Sequence, residues 1–252
     1  MEGYRLKELS QWIMDGNRVV VFTGAGMSTE SGLPDFRSSD RGLWEKFNPD
    51  ELANVQAIYE NTDEFTSFYQ YRLTEITAYK PHIGHFILGK WEERGIISSI
   101  ITQNVDGFHH DAGNKHVHEI HGSFRSLYCH ACGHSFSRDA FIQGEATCTF
   151  CGGVIRPGIV LFGEQLPQET FKAAEADCLE ADTFIVLGSS LSVTPANMFP
   201  LIAKEQGAKL IIINRDATPY NHLADKVIQD ISIKEALIQL NEHITGNNTL
   251  QW

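Results

Sequence analysis

Four runs in this chain, "RVVVFTG", "IISSIITQN", "TFIVLGSS" and "KLIIINRD", are apolar along most of their length instead of at every second position. A strand with one face in water alternates; an unbroken apolar run needs cover on both faces, which a parallel sheet flanked by helices supplies. Helix-period stretches separate the runs. Leu6, Leu9 and Ile13 recur at helical spacing before Gly16 and Asn17 stop the first segment. Further helices are predicted over Phe65 to Thr77, Ile83 to Arg94, Phe171 to Glu180, Pro195 to Gln206 and Ile233 to Asn241. Alternating β and α elements predict an α/β fold built on a doubly wound parallel sheet.

Two stretches break the alternation. Ser39 to Lys80 reads as helical, aromatic and strandless, and Ser123 to Ile155 carries closely spaced Cys and Gly. With 252 residues, 42% of them hydrophobic, the chain suits one domain with insertions. The expected division is a sheet-bearing core over about 1–38, 81–122 and 156–252, a helical insertion over about 39–80, and a cysteine-bearing insertion over about 123–155. The opening "MEGYRLKELSQWI" lacks the apolar segment of a secretory signal, and no run approaches the roughly 18 apolar residues of a spanning helix. A soluble cytoplasmic protein with no membrane partner is expected.

Thirty-two acidic against twenty basic residues give a formal charge of -12. That balance repels nucleic acid, so none is expected as a direct partner, and it favours cationic partners such as lysine-rich polypeptide.

The first run ends in "TGAGMS", where a glycine turn at a strand's C-terminal end lets backbone N–H groups approach phosphate at a helix start. The dinucleotide fingerprint is incomplete: Met27, Ser28 and Thr29 follow Gly26 where a third glycine is wanted, so an ordinary strand-to-helix turn is an open reading. Cys129, Cys132, Cys148 and Cys151 form C-x2-C-x15-C-x2-C, the spacing of two knuckles closing a thiolate site around one structural zinc. Four thiolates leave no position for water, so such a metal holds structure and does not activate a nucleophile. Cys178 reads as a small core residue on a helix.

Five of the eleven histidines fall in "TQNVDGFHHDAGNKHVHEIHGSF". His118, Glu119 and His121 give H-E-x-H, one residue short of the helical zinc-hydrolase motif. A lone histidine is usually structural, yet His121 stands before a glycine at the end of this segment, where it can face a cleft as a base near neutral pH. In "IRPGIVLFGE", Pro157 and Gly158 demote an otherwise strand-like run to an edge, and an exposed edge can bind peptide by strand addition.

Taken in order, "GAGMSTESGLPDFRS", "TQNVDG", "HEIHG", the paired knuckles, "RPGIVLFGE", "GSSLSV" and "INRD" resemble the sirtuins, the NAD-dependent protein lysine deacylases, from about Val19 to Asp230. The resemblance implies a Rossmann-like domain and a smaller one made of a zinc ribbon and a helical module, with NAD between them and acyl-lysine entering opposite. It places Ala25, Gly26 and Thr29 at the pyrophosphate, Phe36 and Arg37 in a lid segment over the nicotinamide ribose, and Gly24, Asp35, Val105 and Arg215 among the other cofactor contacts. Gln103 and Asn104 would contact the ribose, Asn104 also positioning water. Asp106 would bind the nicotinamide carboxamide. Gly188, Ser189 and Ser190 would hold phosphate and adenosine, with Asn214 at the adenosine ribose and Ile231 near adenine.

The implied reaction is deacetylation. The acyl oxygen, held in line with ribose C1′, displaces nicotinamide; His121 as general base then takes a proton from a ribose hydroxyl, and water completes release of lysine and O-acetyl-ADP-ribose. Val160, Phe162 and Gly163 are the implied contacts of an acylated-lysine peptide pairing as a strand. Tyr69-x-x-Arg72 matches the pattern with which succinyl- and malonyl-removing members clamp a carboxylate, whereas Thr29 and Asp35 match the acetyl-removing ones; the bland reading is two amphipathic residues on a solvated helix face. Other readings are mono-ADP-ribosyl transfer, a nicotinamide oxidoreductase and a non-catalytic zinc-ribbon module.

Overall fold

The computed structural model describes residues 2–35 and 48–246. Strands β1 (Val19–Thr23), β2 (Ser99–Thr102), β3 (Val117–Glu119), β7 (Thr183–Leu187), β8 (Lys209–Ile213) and β9 (Lys226–Ile228) form a parallel sheet in the order β3-β2-β1-β7-β8-β9. A second sheet, ordered β5-β4-β6, comprises β4 (Gly122–Cys129), β5 (Ser135–Phe136) and β6 (Ile155–Ile159) and is antiparallel.

The unbroken apolar runs are buried on both faces for the reason their pattern gives. Val19 and Val21 of β1 point with Ile185 and Ile211 into one core, which Leu6, Leu9 and Ile13 of α1 (Glu2–Asp15) and Leu237 and Leu240 of the C-terminal helix Ile233–Thr245 close. Val20 and Phe22 point the other way, with Phe184 and Leu210, under Ala174 and Cys178 of the helix Gln168–Glu180. Each fully buried aliphatic or aromatic side chain contributes about 1.5–3 kcal/mol, which outweighs any local helix preference here. Cys178 is a buried core residue, as its setting predicts.

A third core lies under the smaller sheet. Phe65, Phe68, Tyr69, Leu73 and Ile76 from one face of the helix Thr62–Ala78 pack on Phe124, Leu127 and Phe141. This corrects one reading: Tyr69 and Arg72 are 3% and 5% exposed, so they do not stand on a solvated helix face. Two further corrections concern local structure. After β1 the chain makes 3-10 turns at Ala25–Met27 and Thr29–Ser31, so "TGAGMS" opens no α-helix. The Pro195 to Gln206 helix is a 3-10 turn at Ala196–Met198 followed by the α-helix Phe199–Glu205, with Pro200 in its first turn.

An ion-pair cluster fixes the β3 edge. His118 Nε2 and Arg18 Nη2 lie 2.8 Å and 2.7 Å from the two oxygens of Asp177. Burial works against the Asp177 charge, yet the bonds from His118 and Arg18 overcome it and hold its carboxyl well below the usual range. A depressed carboxylate contributes stability above its unfolded pKa of about 4 and loses it as pH falls. Asp177→Asn is therefore expected to lower stability by about 1 kcal/mol at pH 7, with the difference starting to shrink only below about pH 4 and still in part present at pH 3; denaturant melts of both proteins at pH 7 and pH 3 check this.

Candidate functional site

The register of the large sheet draws the site into one line. Thr23 stands opposite Thr102 and Leu187, and Leu187 opposite Ile213, so β2, β1, β7 and β8 end level. The ladder continues one residue further: Gly24 N–H bonds Leu187 O at 3.1 Å, Gln103 N–H Thr23 O at 2.9 Å, Gly188 N–H Ile213 O at 3.1 Å and Asn214 N–H Ile228 O at 3.1 Å. Each strand thus delivers its next residue to the same edge. At β1 and β7 the strand order reverses, which is where an open α/β sheet leaves a crevice.

Backbone contact closes the floor of that crevice. Gly26 N–H donates to Gly188 O at 2.8 Å, and a Cβ on Gly26 would come within 2.7 Å of Gly188 Cα. Gly188 sits at φ +63, and a Cβ there would strike Met27 N and the Gly26 carbonyl carbon. No side chain fits at either position, so bare backbone forms the surface that a diphosphate can approach.

Above this floor lies a cleft of about 1290 Å³ between the large sheet and the third core. Ala25, Gly26, Thr29, Asp35, Gln103, Asn104, Val105, His121, Gly188, Ser189, Ser190, Asn214, Arg215 and Ile231 line it, as do Val160, Phe162, Gly163, Tyr69 and Arg72. Gly24 lies below the surface, packed on Gly188 and Ser189. Asp106 faces a small side pocket shared with Ala25, Ser28, Asn104 and Arg72. Phe36 and Arg37 lie outside the described residues. The bare glycine floor, the run of polar groups along it and the length of the cleft fit a dinucleotide.

Three polar groups are held with defined orientation. His121 Nδ1 is 3.1 Å from Gln103 O; a carbonyl only accepts, so Nδ1 carries the proton and Nε2 is the basic nitrogen of the neutral ring. Asn104 donates through Nδ2 to Gly24 O at 3.0 Å and to Ser28 Oγ at 3.2 Å, and its N–H bonds Thr102 Oγ1 at 3.0 Å. Ser28 Oγ in turn donates to Asp106 Oδ2 at 2.8 Å, while Phe108 N–H donates to Oδ1 at 2.9 Å. Burial raises the Asp106 carboxyl above its usual range against the pull of these bonds.

Sequence reasoning left out several of these supports. Ser28 joins Asn104 to Asp106, and buried His109 reaches Asn104 through Thr23 and Thr102, with Nε2 3.0 Å from Thr23 Oγ1 and the two hydroxyls 2.7 Å apart. Nothing in the local pattern separates His109 from its four neighbouring histidines; only the fold does. His118 and His121 do not converge, since His118 is engaged with Asp177. The H-E-x-H run is no metal site.

The thiolates do converge. Cys129, Cys132, Cys148 and Cys151 place their sulfurs within 4.8 Å of one another, with Cys129 to Cys151 at 3.5 Å and Cys132 to Cys148 at 3.7 Å. Sulfurs at about 2.3 Å from a tetrahedral zinc stand close to those separations. The two knuckles fold alike: Gly133 and Gly152, each directly after the second Cys, take φ +73 and +75 and bond back to Cys129 O and Cys148 O at 2.9 Å. The set fits one structural zinc.

The chain is similar to known proteins in sequence and in fold. The sequence profile of the Sir2 family matches residues 24–195. An NAD-dependent protein deacetylase of Oceanobacillus iheyensis is 52% identical over 229 residues, covering 91% of this chain and 97% of that protein. The NAD-dependent protein deacetylase 1 of Geobacillus kaustophilus is 51% identical over 236 residues, 94% of this chain and 97% of that one. A solved Sir2 variant with deacetylated p53 peptide and 3'-O-acetyl ADP-ribose superposes with a TM-score of 0.89 at 34% identity, covering 94% of this chain and 97% of that chain. A Sir2 structure with p53 peptide and NAD+ gives 0.87 at 33% identity, covering 96% and 99%.

The metal reading predicts one zinc per chain by elemental analysis. Cys132→Ser or Cys151→Ser should lose that metal and melt earlier by several degrees, as removal of a closed structural site does; an unchanged melting temperature in metal-free protein refutes it.

Proposed function

The chain belongs to the Sir2 family, and on that footing we propose that it removes acetyl groups from lysine side chains of proteins with consumption of NAD, releasing nicotinamide and O-acetyl-ADP-ribose. The observation that carries the reading is the orientation of His121 within the dinucleotide cleft, Nδ1 tied to Gln103 O and Nε2 left basic. NAD, when bound, supplies a ribose whose bond to nicotinamide is broken. The chain's own residues bind and orient around that ribose. The Gly26 and Gly188 backbones, with Ala25, Thr29, Ser189 and Ser190, receive the diphosphate; Asn214, Arg215 and Ile231 receive the adenosine end. Asn104 and Gln103 hold the ribose, Asp106 the carboxamide with Val105 beside it, and Asp35 borders the same end. His121 Nε2 accepts a proton from a ribose hydroxyl.

An acylated-lysine peptide is the second substrate in this reading. Val160, Phe162 and Gly163 lie on the rim of the cleft after β6, an edge strand of the smaller sheet, which suits main-chain pairing with an extended peptide. Four thiol ligands call for a reducing compartment, and we place the activity in the cytoplasm.

A second activity, on succinyl- or malonyl-lysine, has a specific observation in its favour: Tyr69 and the Arg72 guanidinium are buried yet line the cleft. Against it as the main activity, Arg72 Nη1 already has a carboxylate partner in Glu75 at 3.0 Å. An acetyl group asks nothing of that guanidinium.

Mass spectrometry of products from NAD and an acetylated peptide tests the assignment; O-acetyl-ADP-ribose supports it, whereas ADP-ribosylated protein supports mono-ADP-ribosyl transfer. His121→Ala should lower turnover by about 100-fold or more, the usual contribution of a positioned base, with zinc content and melting unchanged; near-normal turnover refutes the role. Arg72→Met should reduce succinyl-lysine turnover at least about tenfold while sparing acetyl-lysine, the loss of one charge-assisted contact; undiminished succinyl turnover refutes the clamp.

A further inference from the structure

The segment from Pro157 to Glu164 crosses from the smaller sheet to the rim of the cleft, and past Ile159 it leaves the ladder with β4. Pro157 has no N–H, Gly158 has no side chain, and Gly163 turns at φ +90. Pairing with β4 holds its first three residues, and one guanidinium ties these to the rest of the segment. Arg156, in β6, is fully buried at 0% side-chain exposure and stacks 5.6 Å from the Tyr128 ring.

From there it reaches along the segment. Nε donates to Pro157 O at 3.2 Å, Nη2 donates to Ile159 O and to Glu164 Oε2, and Nη1 to Glu164 Oε1, the two last forming a fork on the carboxylate. Glu164 Oε2 also accepts the Leu161 N–H at 2.8 Å. Two carbonyls and one amide of the segment are therefore turned toward the ion pair. The groups between them go elsewhere: Val160 N–H to His121 O at 2.8 Å, and Phe162 N–H to Ala53 O at 2.8 Å. Burial opposes the Glu164 charge, but the bonds from Arg156 and Leu161 keep its carboxyl below the usual range.

Such a pair is a poor source of stability, because desolvating two charges offsets most of their attraction and an apolar pair of equal volume serves as well. It is a good source of geometry, since a planar fork fixes both the distance and the plane of what it grips. Taking the peptide-pairing reading above as its ground, we propose that Arg156, through Glu164, is a positioning residue that holds residues 157–164 in the shape on which the acyl-lysine peptide pairs.

The test is steady-state kinetics on wild type, Arg156→Lys and the double variant Arg156→Met with Glu164→Leu, varying acetyl-peptide and NAD separately. In the double variant the peptide KM is expected to rise about tenfold, with the NAD KM within about twofold and the protein still unfolding cooperatively, because uniform binding to one substrate alone has been weakened. Arg156→Lys keeps the charge and loses the fork, and its peptide KM should fall between the two. A folded double variant with wild-type peptide KM overturns the proposal, as does a parallel rise in both KM values. If the double variant does not fold, the same comparison on Arg156→Lys decides, an unchanged peptide KM overturning the proposal. Wild type that shows no NAD-dependent turnover of the peptide overturns the deacetylase reading itself, and the proposal with it.

Discussion

The contact between Gly26 and Gly188 fixes where every other group of the site can stand. Two strand-end turns meet there through backbone alone, with an N–H to O distance that leaves no room for a Cβ on either side. A larger residue at either position would push β1 and β7 apart at their C-terminal ends and break the level line along which Gln103, Asn104, Ser189 and Asn214 are delivered. The parallel register carries this constraint outward, since each strand's next amide bonds the last carbonyl of its neighbour. The position of a polar side chain in the cleft is thus set by the sheet more than by its own loop.

What was legible in the sequence follows from that dependence. Strands buried on both faces have to be continuously apolar, so the four central ones could be read directly. The edge strands β3 and β9 are three residues long and pair on one side only; Val117–Glu119 and Lys226–Ile228 are mostly half-buried and have no apolar run to show. The knuckles were legible because zinc geometry demands a spacing. His121 was visible as a histidine before a glycine, but its base nitrogen is set by a carbonyl 18 residues earlier in the chain. No periodicity encodes that. The resemblance pointed Tyr69 and Arg72 at a substrate, while the bland reading left them at the surface because a Tyr and an Arg usually reach water; in the folded chain the aromatic cluster of Phe65, Phe68 and Phe124 closes over the Tyr69 ring.

The burial of Arg72 bears on what the cleft can accept. A guanidinium removed from water needs an anion or several carbonyls, and desolvation pulls its pKa down, with Glu75 opposing this only in part. Burial acts the other way on its neighbour Tyr69, raising it well above the ordinary phenol range, so it stays a neutral hydroxyl. The far wall therefore presents a neutral phenol and a guanidinium already matched with a carboxylate. A small uncharged acyl group makes no demand on that ion pair, whereas an acidic one would share the guanidinium with Glu75, which holds Nη1.

The zinc ribbon enters this chemistry only through position. Its metal site is closed by four thiolates, so it has nothing to offer a reacting atom. What it does have is a strand: Cys129 of β4 pairs with Ile155 of β6, and Tyr128 pairs with Arg156. One residue separates the register set by a metal ligand from the guanidinium that shapes the cleft's rim. From that rim the Val160 N–H returns to the carbonyl of His121. A fixed path of covalent and hydrogen-bonded links thus runs from the knuckles to the base, and a closed metal site at its far end is better suited to that task than an open one, because nothing that binds the metal can move the strand.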